Sequence, residues 1–311
     1  MTASRYVLLG SIGFVGSNLL QRLSVPLVAP SLEEADLTDL DSLRRTFRAG
    51  DIIINAAGYA NATDQTEKGR QLCQAINVDG VRKLAQAAAE AGAAHLVHIS
   101  SVAAMGRWYQ EGVTEEMLTP PTTIYAQSKL DGEQILADFH TRLPLTIIRP
   151  TSVFGEGRGL AHTLCKVVAR GLVPLPGGGA ARIPFTYIGN IAHAIESCLG
   201  QPACFGRTFI VGDADSYPLR TVVLALAGAM GQQVTIVPVP VGLATLGVRL
   251  LERRAAARGV APLLDQGRLE TLTRSLSYSI AAFQTATGYQ PPFTLAQAAE
   301  RIVTWFRTLP E

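Results

Sequence analysis

Residues 7–16 read Val7-Leu-Leu-Gly10-Ser11-Ile12-Gly13-Phe14-Val15-Gly16, with three glycines spaced by three directly after an apolar run. A strand that turns sharply into a helix needs residues without a Cβ at the turn. Close approach of the backbone to a bound pyrophosphate needs them too. The helix that follows offers unpaired N–H groups and a positive dipole end to the phosphates. A glycine triplet alone is weak, because the chain holds 29 glycines. Its place at the first strand–helix junction gives it weight.

Working outward, short β-branched runs alternate with helical patterns. The runs are Tyr6–Leu9, Leu27–Ala29, Asp51–Asn55, His95–Ser100 and Leu145–Arg149; helices are expected over 13–23, 40–48, 73–91 and 125–141. The runs are apolar throughout rather than alternating, which is the mark of strands covered on both faces. In the third helix Ile76, Val78, Val81, Leu84, Ala85 and Ala88 share one stripe. The pattern predicts an α/β fold with a doubly wound parallel sheet of Rossmann type. After Pro150 glycines and prolines break the rhythm, and a further strand is expected over 208–211. The expected division is a dinucleotide-binding domain over 1–155 plus about 185–212, and a small, mostly helical substrate lobe over about 156–184 and 213–311.

Tyr125-Ala-Gln-Ser-Lys129 opens the fourth helix, and a separation of four puts both side chains on one face. A phenol titrates near 10, and a neighbouring cation favours its ionised form, so Lys129 is expected to help Tyr125 exchange a proton. With four lysines and eight tyrosines in the chain, chance supplies only about 0.1 such pairs. Ser101 closes the run Leu96-Val-His-Ile-Ser100-Ser101, at the strand end where sheet proteins of this kind bind ligands. Its hydroxyl is the third candidate, with Ser100 beside it. The acidic residue that often follows the second strand is not at Ala29-Pro-Ser31; Asp36 lies near the expected distance, and Ser31 suits either a free hydroxyl or a 2′-phosphate.

Composition narrows the classes. The chain has 311 residues, 48% hydrophobic and 17% charged, with a formal net charge of +2. Its basic residues are scattered, which argues against nucleic acid as a partner. Cys73, Cys165, Cys198 and Cys204 lack metal or redox spacing, as do the five histidines, so reduced thiols, a cytoplasmic location and no metal are expected. The most apolar late stretch, residues 234–251, is interrupted by Pro238, Pro240 and Arg249. It is too broken to span a bilayer, which leaves contact with a membrane surface open and integral association unexpected.

Together these residues resemble the extended short-chain dehydrogenase/reductase superfamily, the branch of nucleotide-sugar epimerases, dehydratases and reductases, over nearly the whole chain. Gly10, Gly13 and Gly16 match its glycine loop, and Asp36-Leu37 its adenine-contacting pair. The stretch Asp51-Ile-Ile-Ile-Asn-Ala56-Ala57-Gly58 matches the strand whose end lines the cofactor, and Asn77-Val-Asp-Gly80 a helical asparagine motif. Ser101, Tyr125 and Lys129 match the catalytic set; Arg149-Pro150 and Val153-Phe-Gly155 match the segment beside the nicotinamide. Ile188-Gly-Asn190 matches a motif in which aspartate is more usual than Asn190. The resemblance implies NAD or NADP, held by Gly10 to Gly16, Ser31, Asp36, Leu37, Ala56 to Gly58, Asn77, Ser100, Tyr125, Lys129, Pro150 and Val153. It also implies a homodimer and a C-terminal substrate lobe.

Departures from the pattern sharpen the expectation. Val102-Ala103 stands where sugar dehydratases carry Asp-Glu, which argues against dehydration. Ile183 stands where many epimerases carry a diphosphate-binding arginine, so Arg182 next to it and Arg274 become the candidate substrate contacts beside Ser101 and Tyr125. The tail resembles members acting on lipophilic ketones and sterol-like alcohols, whereas residues 36–77 resemble deoxysugar reductases. The favoured reading is a ketoreductase acting on a small-molecule ketone or alcohol. The alternatives are a nucleotide-sugar epimerase with tightly held NAD and a catalytically silent NAD(P)-binding protein.

Overall fold

A computed structural model describes residues 4–61, 64–157, 159–257 and 265–310. The first half alternates strand and helix: β1 (Tyr6–Leu9), α1 (Phe14–Arg22), β2 (Leu27–Val28), α2 (Leu40–Thr46), β3 (Ile52–Asn55), α3 (Glu67–Leu72), α4 (Gly80–Ala91), β4 (His95–Ile99), α5 (Ile124–Ala137) and β5 (Leu145–Pro150). With Arg207–Val211 the strands form one six-stranded parallel sheet, in the order β2, β1, β3, β4, β5, then 207–211. Strand pleating explains why these runs are apolar at every position. Leu8 and Ile54 face one core, whereas Val7, Leu9 and Ile53 face the other. The order reverses at β1, so a crevice opens beyond its C-terminal end, where ligands bind in sheets of this topology.

The third predicted helix departs from expectation. In place of one rod over 73–91, α3 runs into a π-helix at Cys73–Asp79 and then into α4. The wide turn lets α5 cross closely: a Cβ on Gly132 would lie 2.6 Å from the Asn77 carbonyl. Periodicity cannot reveal such a turn, because the apolar stripe remains continuous on either side of it.

Beyond Pro150 short ribbons and helices build over the sheet's C-terminal edge. Ser152–Phe154 pairs with Phe185–Tyr187, Leu172–Pro176 with Thr235–Val239, and Arg182–Ile183 with Tyr217–Pro218. Asn190 ties this region together. Its amide donates to Asp213 at 2.7 Å and to the Phe293 carbonyl at 2.9 Å, and its oxygen accepts from Phe293 N–H. An aspartate there would supply no N–H, which accounts for asparagine at this position. A backbone bridge, Val113 N–H to Ser277 and Ser279 N–H to Val113, brings residues 276–278 against the first half. Among the described residues no helix is long and apolar enough to cross a membrane.

Candidate active site

Gly10 turns with φ +78, and a Cβ on it would lie 2.5 Å from Ala57 N; one on Gly16 would lie 2.0 Å from the Gly10 carbonyl. Gly13 differs: it is the N-cap of α1, and a Cβ there would meet only the Gly10 carbonyl, at 3.4 Å. Gly10 and Gly16 are therefore fixed by packing and Gly13 by the space in front of it. That space is a cavity of about 420 Å³ lined by the loop Gly10–Gly13, by Ser31, Asp36 and Leu37 at one end and by Ala56–Gly58 at the other. A loop with glycine at Gly10 and Gly13, facing the start of a nine-residue helix, fits a dinucleotide's pyrophosphate. Phe14, Val15 and Val153 pack against the core behind it, with Val153 beside Phe14 in a smaller recess.

At the far end, Asp36 is committed to its own turn and accepts from Thr38 N–H at 2.7 Å and from the Thr38 hydroxyl. Ser31 and Glu34 cap each other: Ser31 N–H donates to Glu34 Oε2 at 2.8 Å, and Glu34 N–H to Ser31 Oγ at 3.3 Å. Asn77 lies behind the cavity wall. It receives Tyr59 N–H, and donates to the Tyr59 carbonyl and to Ser128 Oγ, each at 2.9 Å. It fixes the loop after β3 to α5 and is buried, so its side chain holds the wall in place rather than facing a ligand.

Tyr125, Lys129 and Glu133 succeed one another at four-residue spacing along α5. Thr123 starts the helix by accepting Ala126 N–H at 3.1 Å. Lys129 is buried, its Nζ 6.0 Å from the centre of the Tyr125 ring, and it donates to the Ile99 carbonyl at 3.2 Å. Burial pushes this ammonium down to about 8, and the Glu133 carboxylate opposes the fall. His98, beside it and fully buried, is held down to about 3 by burial and then by Lys129, so it stays neutral, hydrogen-bonded to Asn55. Tyr125 is pushed up by burial, and its hydrogen bond with Ser101 works in the opposite direction. Burial sets the direction, which favours the protonated, proton-donating form of the phenol.

Ser101 and Tyr125 open onto a second cavity, of about 380 Å³. Val102, Ala103, Trp108, Leu276 and Tyr278 give it an apolar wall, and Arg107 and Arg274 line it as cations. Arg107 is neutralised by Glu270 at 3.0 Å, whereas Arg274 stacks on the Tyr109 ring, 4.5 Å from its centre. Gly58 belongs to the first cavity, and a Cβ on it would lie 3.3 Å from Lys129 Nζ. The two cavities thus meet at the Tyr125–Lys129 pair.

Two candidates fall elsewhere. Arg182 is no part of this wall, because its guanidinium binds Ser216 through both the hydroxyl and the carbonyl. Ser100 turns inward and donates its hydroxyl to Glu133, whose carboxylate forms a buried pair with Arg149 at 2.7 Å, so it offers no side-chain contact to a cofactor. Pro150, the last residue of β5, is buried. Arg107, Trp108, Leu276 and Tyr278 were not among the candidate contacts; they face one another across the cavity because the 113–278 bridge brings the late segment against the first half.

A family model described as RmlD substrate binding domain matches residues 4–172. N-acetyl-alpha-D-glucosaminyl-diphospho-ditrans,octacis-undecaprenol 4-epimerase of Escherichia coli O157:H7 is 24% identical, over 96% of this chain and 94% of its own length. A 3 beta-hydroxysteroid dehydrogenase/Delta 5-->4-isomerase of Mycobacterium tuberculosis is 28% identical, over 98% of this chain and 91% of its own. Among solved structures, RMD from Pseudomonas aeruginosa complexed with NADPH superposes with a TM-score of 0.76 at 20% identity, covering 98% of this chain and 100% of that one.

Proposed function

Because the chain belongs to the RmlD substrate binding domain family, within the extended short-chain dehydrogenase/reductase superfamily of NAD(P)-dependent enzymes, we propose that it exchanges hydride at a secondary alcohol or ketone and acts as a ketoreductase. The observation that carries this reading is the placement of Tyr125 with Ser101 in the wall of the second cavity, while Lys129, four residues on, reaches the first. When bound, the nicotinamide supplies the hydride to the carbonyl carbon. Tyr125 donates its proton to the carbonyl oxygen, which Ser101 holds by a hydrogen bond, so that ketone becomes alcohol. Lys129, kept cationic by Glu133, stabilises the phenolate left behind. In the oxidative direction the same phenolate takes the proton back.

The apolar wall of Val102, Ala103, Trp108, Leu276 and Tyr278 suits a lipophilic substrate body, in keeping with the steroid named for one relative. A second reading, sugar epimerisation, is favoured by one observation: two arginines line the cavity, as a diphosphate would require. The Glu270 partner of Arg107 weighs against it, since a diphosphate would first have to displace that carboxylate. A cytoplasmic homodimer belongs to the same proposal, and light scattering checks its mass.

The test is a substrate panel with NADH and NADPH. A ketoreductase consumes reduced cofactor in proportion to added ketone. An epimerase retains cofactor absorbance through purification and interconverts nucleotide sugars with no net consumption. Sugar interconversion without ketone-dependent oxidation would overturn the favoured reading.

A further inference from the structure

The helix Val241–Ala257 carries its apolar side chains on the wrong face for a globular protein. Six of the fourteen exposed large hydrophobic residues among those described lie within residues 237–251. Three of them, Leu243, Leu246 and Leu250, are 63%, 65% and 50% exposed, and their spacing of three and four sets them in one stripe. Val248 and Ala255 are buried on the opposite side, against the protein. The stripe is therefore turned fully outward.

Its charge has one sign. At 100° per residue, Arg249 and Arg253 fall on one flank of the leucines and Arg254 on the other, and all three are exposed. Glu252, the single acid of the helix, falls on the inner side, where its carboxylate accepts Gln266 N–H at 2.9 Å. Just beyond the helix Asp265 is paired with Arg268. Upstream, no acidic residue occurs between Asp215 and Glu252, and none between Glu156 and Glu196. The ribbon of Leu172–Pro176 and Thr235–Val239 comes from those two acid-free segments; it leads into the helix and exposes Leu172 and Val237. Leucines outward with arginines on both flanks is the arrangement of a helix lying in the plane of a lipid interface, its long cations reaching the headgroups.

We propose that this helix docks the chain on an anionic phospholipid surface, the three leucines entering the acyl boundary and the three arginines meeting headgroup phosphates. A second copy of the chain is the less suitable occupant, because pairing two such faces brings arginine against arginine with no acid to meet it. The helix packs on Gln266–Thr273, which together with Arg274 supplies Thr271 and Arg274 to the Tyr125 cavity, so docking brings the cavity mouth close to the lipid. The surface is independent of the reaction, and its test needs no substrate.

The test is flotation of the full chain with phosphatidylcholine vesicles, with and without about 30 mol% phosphatidylglycerol, at low and high salt. The intact chain should float with the anionic vesicles, stay behind with the neutral ones, and detach as salt rises. Leu246→Gln with Leu250→Gln should weaken partitioning about tenfold or more, from lost apolar burial. Each arginine changed to glutamine should weaken it about fivefold. Melting temperatures should match the intact chain, because these side chains face solvent. An intact chain that ignores anionic vesicles, or leucine variants that float undiminished, would overturn the proposal. So would a dimer that the leucine changes dissolve in light scattering, since a second copy would then own the face.

Discussion

Substituting alanine at two glycines of the phosphate loop should give opposite phenotypes. At Gly16 the new methyl would stand 2.0 Å from the Gly10 carbonyl, well inside van der Waals contact and against backbone, which has little room to yield. The cost is that of severe overpacking, about 3 kcal/mol or more, seen as a melting temperature lower by about 5 °C or more. At Gly13 the backbone sits at φ −74 and ψ 167, open to any residue, and the methyl makes one ordinary contact at 3.4 Å. The lost freedom of the unfolded chain stabilises by about 0.4–1 kcal/mol, and the poorer N-cap costs a similar amount. Gly13→Ala should therefore melt within about 2 °C of the parent. Its methyl fills the cradle, however, and should weaken NADH or NADPH binding about 30-fold or more by nicotinamide fluorescence titration. A Gly13→Ala chain that binds cofactor normally, or that unfolds as readily as Gly16→Ala, would refute the assignment of packing to one glycine and ligand space to the other.

Tyr125→Phe should cut turnover about 10²- to 10⁴-fold while leaving cofactor affinity nearly unchanged, and half-normal turnover in that variant would remove Tyr125 from the reaction. Glu133→Gln leaves Arg149 as a buried, unpaired charge and should cost about 3–5 kcal/mol in denaturant unfolding. The same change removes the carboxylate that holds up Lys129, so the alkaline limb of the turnover profile should move to lower pH. Asp213 is pushed up to about 6, chiefly by burial. Because the folded value exceeds the unfolded one, its contribution is fully present below about pH 4 and is lost as pH rises through about 6, by about 3 kcal/mol. Asp213→Asn should flatten that slope, and parallel stability curves for the two proteins would show that Asp213 does not titrate as described.

The parts of the molecule legible in the sequence are those whose physical cause is local. A strand–glycine–helix junction, a tyrosine four residues before a lysine, and apolar runs of strand length each announce themselves within about ten residues. What escaped depends on partners far along the chain. Arg182 looked free because nothing near it in sequence predicts Ser216, 34 residues away. Ser100 and Ser101 look alike until the pleat sends one inward to Glu133 and leaves the other to accept Ala103 N–H and meet Tyr125. The π-helix at Asn77 answers to the close crossing of Gly132, 55 positions later. The direction in which Tyr125 is shifted has the same origin: a lysine four residues on is visible in the sequence, but the burial that raises the phenol belongs to the whole fold.

The bridge between Val113 and Tyr278 has a consequence for how such a chain can diversify. The groups proposed to move protons and hydride all lie before residue 130, whereas Leu276 and Tyr278 on the opposite wall arrive on a late segment secured to the first half at Val113 by main-chain hydrogen bonds. Main-chain bonds do not depend on which side chains the segment carries. Residues 271–278 can therefore be exchanged for another lining while the attachment and the chemistry persist. One wall of the cavity is thus carried on a stretch apart from the reacting groups, while Val102, Ala103 and Trp108 stay with them, and a graft of residues 271–278 from a relative changes that one wall alone.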